Sequence, residues 1–309
     1  MATPLLIDVD MGVDDAVAVA LALASPVFDV RAIVAVGGSV EADQVVVNIG
    51  RLLKALNAPT RPRVGRGLDQ SGPDLVDRRE MFGDDGLGQC GLPPDDALEA
   101  SDFKQVYRET IEAAAGKLVI ITTGPLSNVA AVLTDLPELA RRVSHLFVSG
   151  GAVWTHGNVT DAAEFNFYRD PQAAALVLSS GLPITVAPLD VSRLVGLDES
   201  HVARLSASGC RTGESLAGML CYPLERDCEP GYGKTLIHDA LACGCAIWPD
   251  LFIKTRMRLD IETQGAQVGR STPALGGDQA SRVGLLTAVN AVDFLENALE
   301  SLCQDTFTV

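Results

Sequence analysis

No lysine or arginine precedes Arg31, and over the 309 residues 24 basic side chains face 40 acidic ones, a formal net charge of −16. A nucleic-acid backbone is thereby excluded as the main partner, because phosphate binding needs a basic footprint. The opening residues lack the basic stretch of a signal peptide and run straight into an apolar strand, so no leader is expected. No uninterrupted apolar run reaches the roughly 20 residues that cross a bilayer, so no membrane partner is expected either. The seven cysteines are odd in number and form no CxxC pair. Cys243 and Cys245, one residue apart, suit neither a zinc knuckle nor a common disulfide. Reduced, buried thiols in a cytoplasmic protein are the expectation. The chain also lacks an internal repeat and a Pro/Gly/Ser-rich linker, and 47% of it is hydrophobic. One domain over residues 1–309 is expected.

What is present is concentrated at Leu5–Leu23, LLIDVDMGVDDAVAVALAL, where Asp8, Asp10, Asp14 and Asp15 fall within eight residues. Leu5–Asp10 reads as a buried strand. Gly12 permits a turn, and Asp14–Ala24 reads as a helix, with one aspartate as its N-cap and the other in its first turn. The acids thus crowd a strand-to-helix junction, the place where open α/β sheets bind ligands. Two unit charges ~4 Å apart repel by about 4 kcal/mol at an effective dielectric of ~20. A helix N-terminus returns only ~0.3–1 kcal/mol for each charge. Two readings compete: a solvated acidic loop with a doubled cap, or a cation site. The apolar flanks draw the acids inward and favour the second. Since every candidate ligand is an oxygen, the matching ion is a hard one such as Ca²⁺ or Mg²⁺.

Further strands are predicted at Val27–Val36, Arg63–Gly65, Lys117–Thr122, Ser144–Ser149 and Leu182–Ala187. Helices are predicted at Glu41–Leu56, Phe103–Ala115, after Asn128, and from Asp170 to Ser179. Strand and helix alternate, which implies an α/β fold with an open, mostly parallel sheet between helices. The last third is less regular. Helices are predicted at Glu199–Ser206, Glu214–Cys228, Thr235–Ile247 and Ala288–Leu302. Phe252–Ile261 is expected to form an edge pair with Arg282–Leu286. The Gly-, Asp- and Pro-rich stretch from Arg66 to Pro94 is a candidate lid or rim.

Several predicted strand ends carry polar groups: the four aspartates, Thr123, Asn158, Glu164, Asn166 and the pair His238-Asp239. In an extended segment, period-two spacing points Glu164 and Asn166 the same way, where they could accept from and donate to a diol.

The set resembles the inosine–uridine nucleoside hydrolase family. That family's opening motif, close to DxDxGxDDA, stands here as Asp8-Val9-Asp10-Met11-Gly12-Val13-Asp14-Asp15-Ala16. Its TGPLTN is matched by Thr123-Gly124-Pro125-Leu126-Ser127-Asn128, and its GN…AEFN…DP block by Gly157-Asn158, Ala163-Glu164-Phe165-Asn166 and Asp170-Pro171. Its HD pair is matched by His238-Asp239.

The resemblance implies a Ca²⁺-dependent N-ribohydrolase with its site at the carboxyl ends of the strands. Asp10, Asp15, Asp239 and the Thr123 carbonyl would hold the ion. Asp14, Asn158, Glu164 and Asn166 would hold the ribose, with Asp14 also near the metal. Asp10 would be the general base toward water and His238 the proton donor to the leaving base. Homodimers or homotetramers are implied as well. An acidic pocket suits this chemistry, since breaking an N-glycosidic bond builds positive charge on the sugar.

The sequence departs from the family at two places. Gly37-Gly38-Ser39 stands where many members have Gly-Asn, and Phe82-Gly83 where many have His-Gly. Phe82 can stack on a base but cannot give it a proton. Phe165, Tyr222, Tyr232 and Trp248 are the other stacking candidates. A rival reading, a haloacid-dehalogenase-like phosphohydrolase, matches Leu5–Asp10 and Leu118–Thr122 but leaves Asp14, Asp15, Glu164 and Asn166 without a task. A catalytically weak riboside-binding protein on the same fold is the second rival.

Overall fold

The computed structural model describes residues 2–58, 61–69, 78–226, 231–274 and 282–304. Its first strand, Thr3–Val9 (β1), sets the plan. Leu5, Ile7 and Val9 enter one apolar cluster and Leu6 enters another on the opposite face. Burial on both faces marks a central strand of a parallel sheet.

In chain order the other strands are Phe28–Ala35 (β2), Arg63–Arg66 (β3), Ala100–Asp102 (β4), Val119–Thr122 (β5), His145–Ser149 (β6) and Ile184–Ala187 (β7). Then come Gly196–Leu197 (β8), Thr235–Leu236 (β9), Phe252–Ile261 (β10), Ser271–Ala274 (β11) and Val283–Val289 (β12). Ten of them form one sheet in the order β11-β10-β12-β7-β6-β5-β1-β2-β3-β4, while β8 and β9 make a separate antiparallel pair. Every neighbour pair from β12 to β4 is parallel, and β10 runs antiparallel to β12 and β11.

The chain steps outward from β1 to β4, then returns to the other side of β1 with β5. The crevice between β1 and β5 is therefore a topological switch point, and the sheet's ligand site is expected at its carboxyl end. Helix Val13–Ala24 is apolar almost all round and packs on helix His238–Ile247. A helix of that kind must lie inside. On the opposite face Phe103–Ala113, Ser127–Asp135 and Pro171–Leu178 cover the second cluster.

The predicted α/β architecture is present, with local corrections. Gly12, not an aspartate, is the N-cap of the first helix; Asp14 and Asp15 both lie in its first turn, and Asp15 Oδ2 accepts from the Gly12 amide at 2.7 Å. The expected helix Thr235–Ile247 divides into β9 and a helix that begins at His238. The strand near 282–286 is interior, wedged between β7 and β10, and β11 is the edge. Strand β4, of three residues, was not foreseen. The helix expected at Glu214–Cys228 runs Arg211–Glu225; Cys228 lies outside the described residues, as do 70–77 of the candidate rim.

Candidate active site

At the carboxyl end of β1 the chain turns sharply. Met11 adopts φ 48°, the left-handed region that costs a non-glycine residue of order 1–3 kcal/mol. That turn sends Asp10 and the acids of the next helix to the same side. The helix starting at His238 packs alongside, so its first turn brings His238 and Asp239 to the same place. Both helix N-termini offer partial positive charge to the carboxylates.

The result is a cleft at the carboxyl end of β1. Its lining holds eleven of the residues singled out from the sequence: Asp10, Asp14, Asp15, Phe82, Thr123, Asn158, Glu164, Phe165, Asn166, His238 and Asp239. Oxygens of Asp14, Asp15 and Asp239 lie within 4.8 Å of one another, a group that could hold a metal ion. Asp10 is beside it, its carboxylate against that of Asp15. The cluster includes Asp14, which the resemblance places both on the sugar and near the metal.

The carboxylates of the cluster are buried and repel one another. Burial raises the Asp10 and Asp239 carboxyls well above the ordinary range, and neighbouring carboxylates push them further. Burial, then the charge of Asp14, brings Asp15 to about 6 against hydrogen bonds from Thr123 and Gly12. Asp14 is raised by burial and partly relieved by His238. Asp8 does not line the cleft. It lies on the buried face of β1, where burial lifts it to about 7. It accepts from Tyr107 Oη at 2.6 Å and from Asn128 Nδ2 at 3.1 Å.

The acids are held in place from three directions. Asp10 Oδ2 accepts from the Ser39 amide at 2.6 Å and the Ser39 hydroxyl at 2.9 Å. A Cβ on Gly38 would collide with the Asp10 carboxylate, so glycine there is what lets the turn after β2 close on it. Thr123 Oγ1 donates to Asp15 Oδ1 at 2.5 Å, and the Thr123 amide donates to the Asp8 carbonyl, tying β5 to β1.

Glu164 and Asn166 do not alternate along a strand. Phe165–Arg169 is a short helix and Glu164 is its N-cap, accepting from the amides of Asn166, Phe167 and Gly151. Burial still raises its pKa, offset first by those amides. Asn166 turns toward the floor, donating to the carbonyls of Thr123 (2.8 Å) and Ser149 (3.1 Å). Asn158 Oδ1 accepts from the Phe165 amide at 2.9 Å. Phe165 is overlaid by the Arg78 guanidinium, 4.2 Å from the ring centroid.

Tyr222, Tyr232 and Trp248 lie outside the lining. Trp248 packs edge-on against Phe294, and Tyr222 is covered by Arg226. Sequence reasoning missed Ser39, Arg78, Met81 and Ser192, which all line the cleft. Only Ser39 had a signal, its place just after a strand-ending Gly-Gly.

A sequence model for the inosine-uridine preferring nucleoside hydrolases matches residues 5–296. A pyrimidine-specific ribonucleoside hydrolase, RihA, from Citrobacter koseri is 35% identical over 268 residues, 86% of each chain. RihA of Escherichia coli K12 is 34% identical over the same share. The solved purine-preferring ribonucleoside hydrolase from Gardnerella vaginalis aligns with a TM-score of 0.92 at 26% identity, covering 98% of this chain and 99% of that one. This chain belongs to the inosine-uridine preferring nucleoside hydrolase family and is an enzyme that cleaves the N-glycosidic bond of ribonucleosides.

Proposed function

We propose that hydrolysis takes place in the acidic cleft at the β1–β5 switch point and releases free base and ribose. The observation that carries this is the convergence of eleven residues, drawn from positions 10 to 239, on one cleft. Asp10 takes the proton of the attacking water. Asp14, Asn158, Glu164 and Asn166 hold the sugar hydroxyls. The carboxylates offset the positive charge that grows on the ribose as the bond to the base breaks. His238 gives a proton to the departing base. Phe82 and Phe165 border the space for that base, where the family's usual histidine is absent. The relatives named above include a pyrimidine-specific and a purine-preferring enzyme, so the aromatic border is where base preference is to be sought.

The ion we assign to this site is Ca²⁺, held by Asp10, Asp15, Asp239 and the Thr123 carbonyl, with Asp14 adjacent. The donors are all oxygens, their carboxylates are buried and mutually repelling, and the Thr123 carbonyl has a second lone pair beside the one given to Asn166. When bound, such an ion orients and acidifies a water molecule. We further propose a single domain over residues 1–309, assembly as a homodimer or homotetramer, and residence in the cytoplasm. Six cysteines among the described residues are unpaired, which suits a reducing compartment.

The test is a panel of purine and pyrimidine nucleosides with reducing-sugar detection, with chelator and with added Ca²⁺. Ribose release that chelator abolishes and Ca²⁺ restores is expected. Phosphate release from nucleotides without ribose release would instead favour the phosphohydrolase reading. Binding without turnover, unaltered by His238→Ala, would favour a riboside-binding protein.

A further inference from the structure

The short helix Leu189–Ser192 follows β7 and has no part in the reading above. It nevertheless touches two walls of the cleft. The Asp190 carboxylate accepts from the amides of Val153 (2.9 Å) and Trp154 (2.7 Å). Arg193, just past the helix, donates to Thr155 Oγ1 (3.0 Å), the His156 carbonyl (2.5 Å) and the Gly157 carbonyl (2.9 Å). Together they fix the loop that delivers Asn158. Ser192, between them, points the other way. Its hydroxyl lies 2.7 Å from His238 Nδ1, it is 1% exposed, and it borders the cleft beside the imidazole.

We propose that Ser192 is a positioning residue for the glycosidic cleavage: by engaging Nδ1 it leaves Nε2 as the nitrogen that meets the leaving base. The inference rests on His238 being the proton donor. A hydroxyl suits this place because it both donates and accepts. When the ring is neutral and Nδ1 bare, Oγ–H donates to Nδ1 and the ring proton is at Nε2. When both nitrogens carry protons, Nδ1–H donates to Oγ and Nε2 keeps its own. In the reaction the C1′–N bond breaks and its electron pair goes to the base nitrogen, which takes the Nε2 proton of the doubly protonated ring and leaves a neutral imidazole with its proton on Nδ1. Water forms the new C1′–O bond and gives a proton to Asp10. Ser192 exchanges no atom with the substrate; it holds the ring through the transfer. One turn of helix therefore sets both the sugar-facing loop and the proton donor.

The experiment compares wild type, Ser192→Ala, His238→Ala and the double variant on inosine, uridine and 4-nitrophenyl β-D-ribofuranoside, whose leaving group departs without protonation. Ser192→Ala is expected to lower kcat on both nucleosides about 10- to 10²-fold, the scale of a misplaced catalytic group. Its rate on the nitrophenyl riboside is expected to stay within about twofold of wild type. In the His238→Ala background it is expected to add less than about twofold, because the two residues act as one unit. A loss of equal size on all three substrates, or a full further loss on top of His238→Ala, overturns the proposal. A nucleoside defect in His238→Ala with none in Ser192→Ala overturns the role of Ser192 alone. Undiminished nucleoside turnover in His238→Ala removes the proton-donor reading, and the proposal falls with it.

Discussion

The floor of the cleft and its aromatic border are built on different principles. On the floor each buried carboxylate sits at a strand end or in a first helical turn, and Asp10 and Asp15 accept named hydrogen bonds from Ser39, Thr123 and Gly12. The border is made by Phe165, under Arg78, and by the four-residue helix Arg79–Phe82. Charge dictates the floor, since unpaired buried carboxylates are costly. Shape and stacking dictate the border, which has more latitude. Floor changes should therefore damage all nucleosides alike, and border changes should redistribute activity among them.

The sharpest way to break that division is Asp10→Ala. Loss of a general base is expected to lower kcat by about 10²- to 10⁴-fold, with the same factor for inosine, uridine and cytidine in a ribose-release assay. A factor that differed strongly between bases would merge floor and border. Next comes the ion. Ca²⁺ at ~100 times its Kd is expected to stabilise the protein by about 2.7 kcal/mol. The matching rise in Tm should vanish in Asp239→Asn. Asn128→Ala acts outside the cleft, because Asn128 donates to the buried Asp8 and accepts from the Leu68 amide. It leaves buried groups without partners and is expected to cost about 1–3 kcal/mol by denaturant titration.

Phe82→Ala is expected to change the inosine-to-uridine ratio of kcat/KM by around tenfold, the scale of one altered apolar contact, with the Ca²⁺ requirement intact. The smallest effect serves as a control far from the cleft. His145 opens β6 and is held near pKa 4, chiefly by burial. The folded state thus refuses a proton that the unfolded state accepts below ~6.5. Stability should fall as pH drops from about 6.5 toward 4. His145→Gln should shallow that decline in Tm.

The sequence revealed the floor because its chemistry is local. Four acids fall within eight residues, and the alternation of apolar strands with helices places three of them, Asp10, Asp14 and Asp15, at a carboxyl end on the cleft. The border and the supports were less legible. Ser192 and Arg78 have no local pattern, and their roles arise only when the helix after β7 and the helix Arg79–Phe82 pack against distant elements. Phe165-Asn166-Phe167 alternates like a strand, yet Glu164 starts a helix there, because three amides converge on its carboxylate. Thr235–Ile237 is an apolar run that periodicity alone cannot divide between strand and helix. Strand β4 is three partly or fully exposed residues at a sheet edge, too short to announce itself.

The return of the chain from β4 to β5 has a kinetic consequence. Asp15 and Thr123 become neighbours only after more than a hundred intervening residues have closed into a loop, and His238 lies farther still along the chain. Pairings so distant along the chain form slowly. Substrate-handling ability should therefore emerge at the last stage of refolding, after most helical signal has returned.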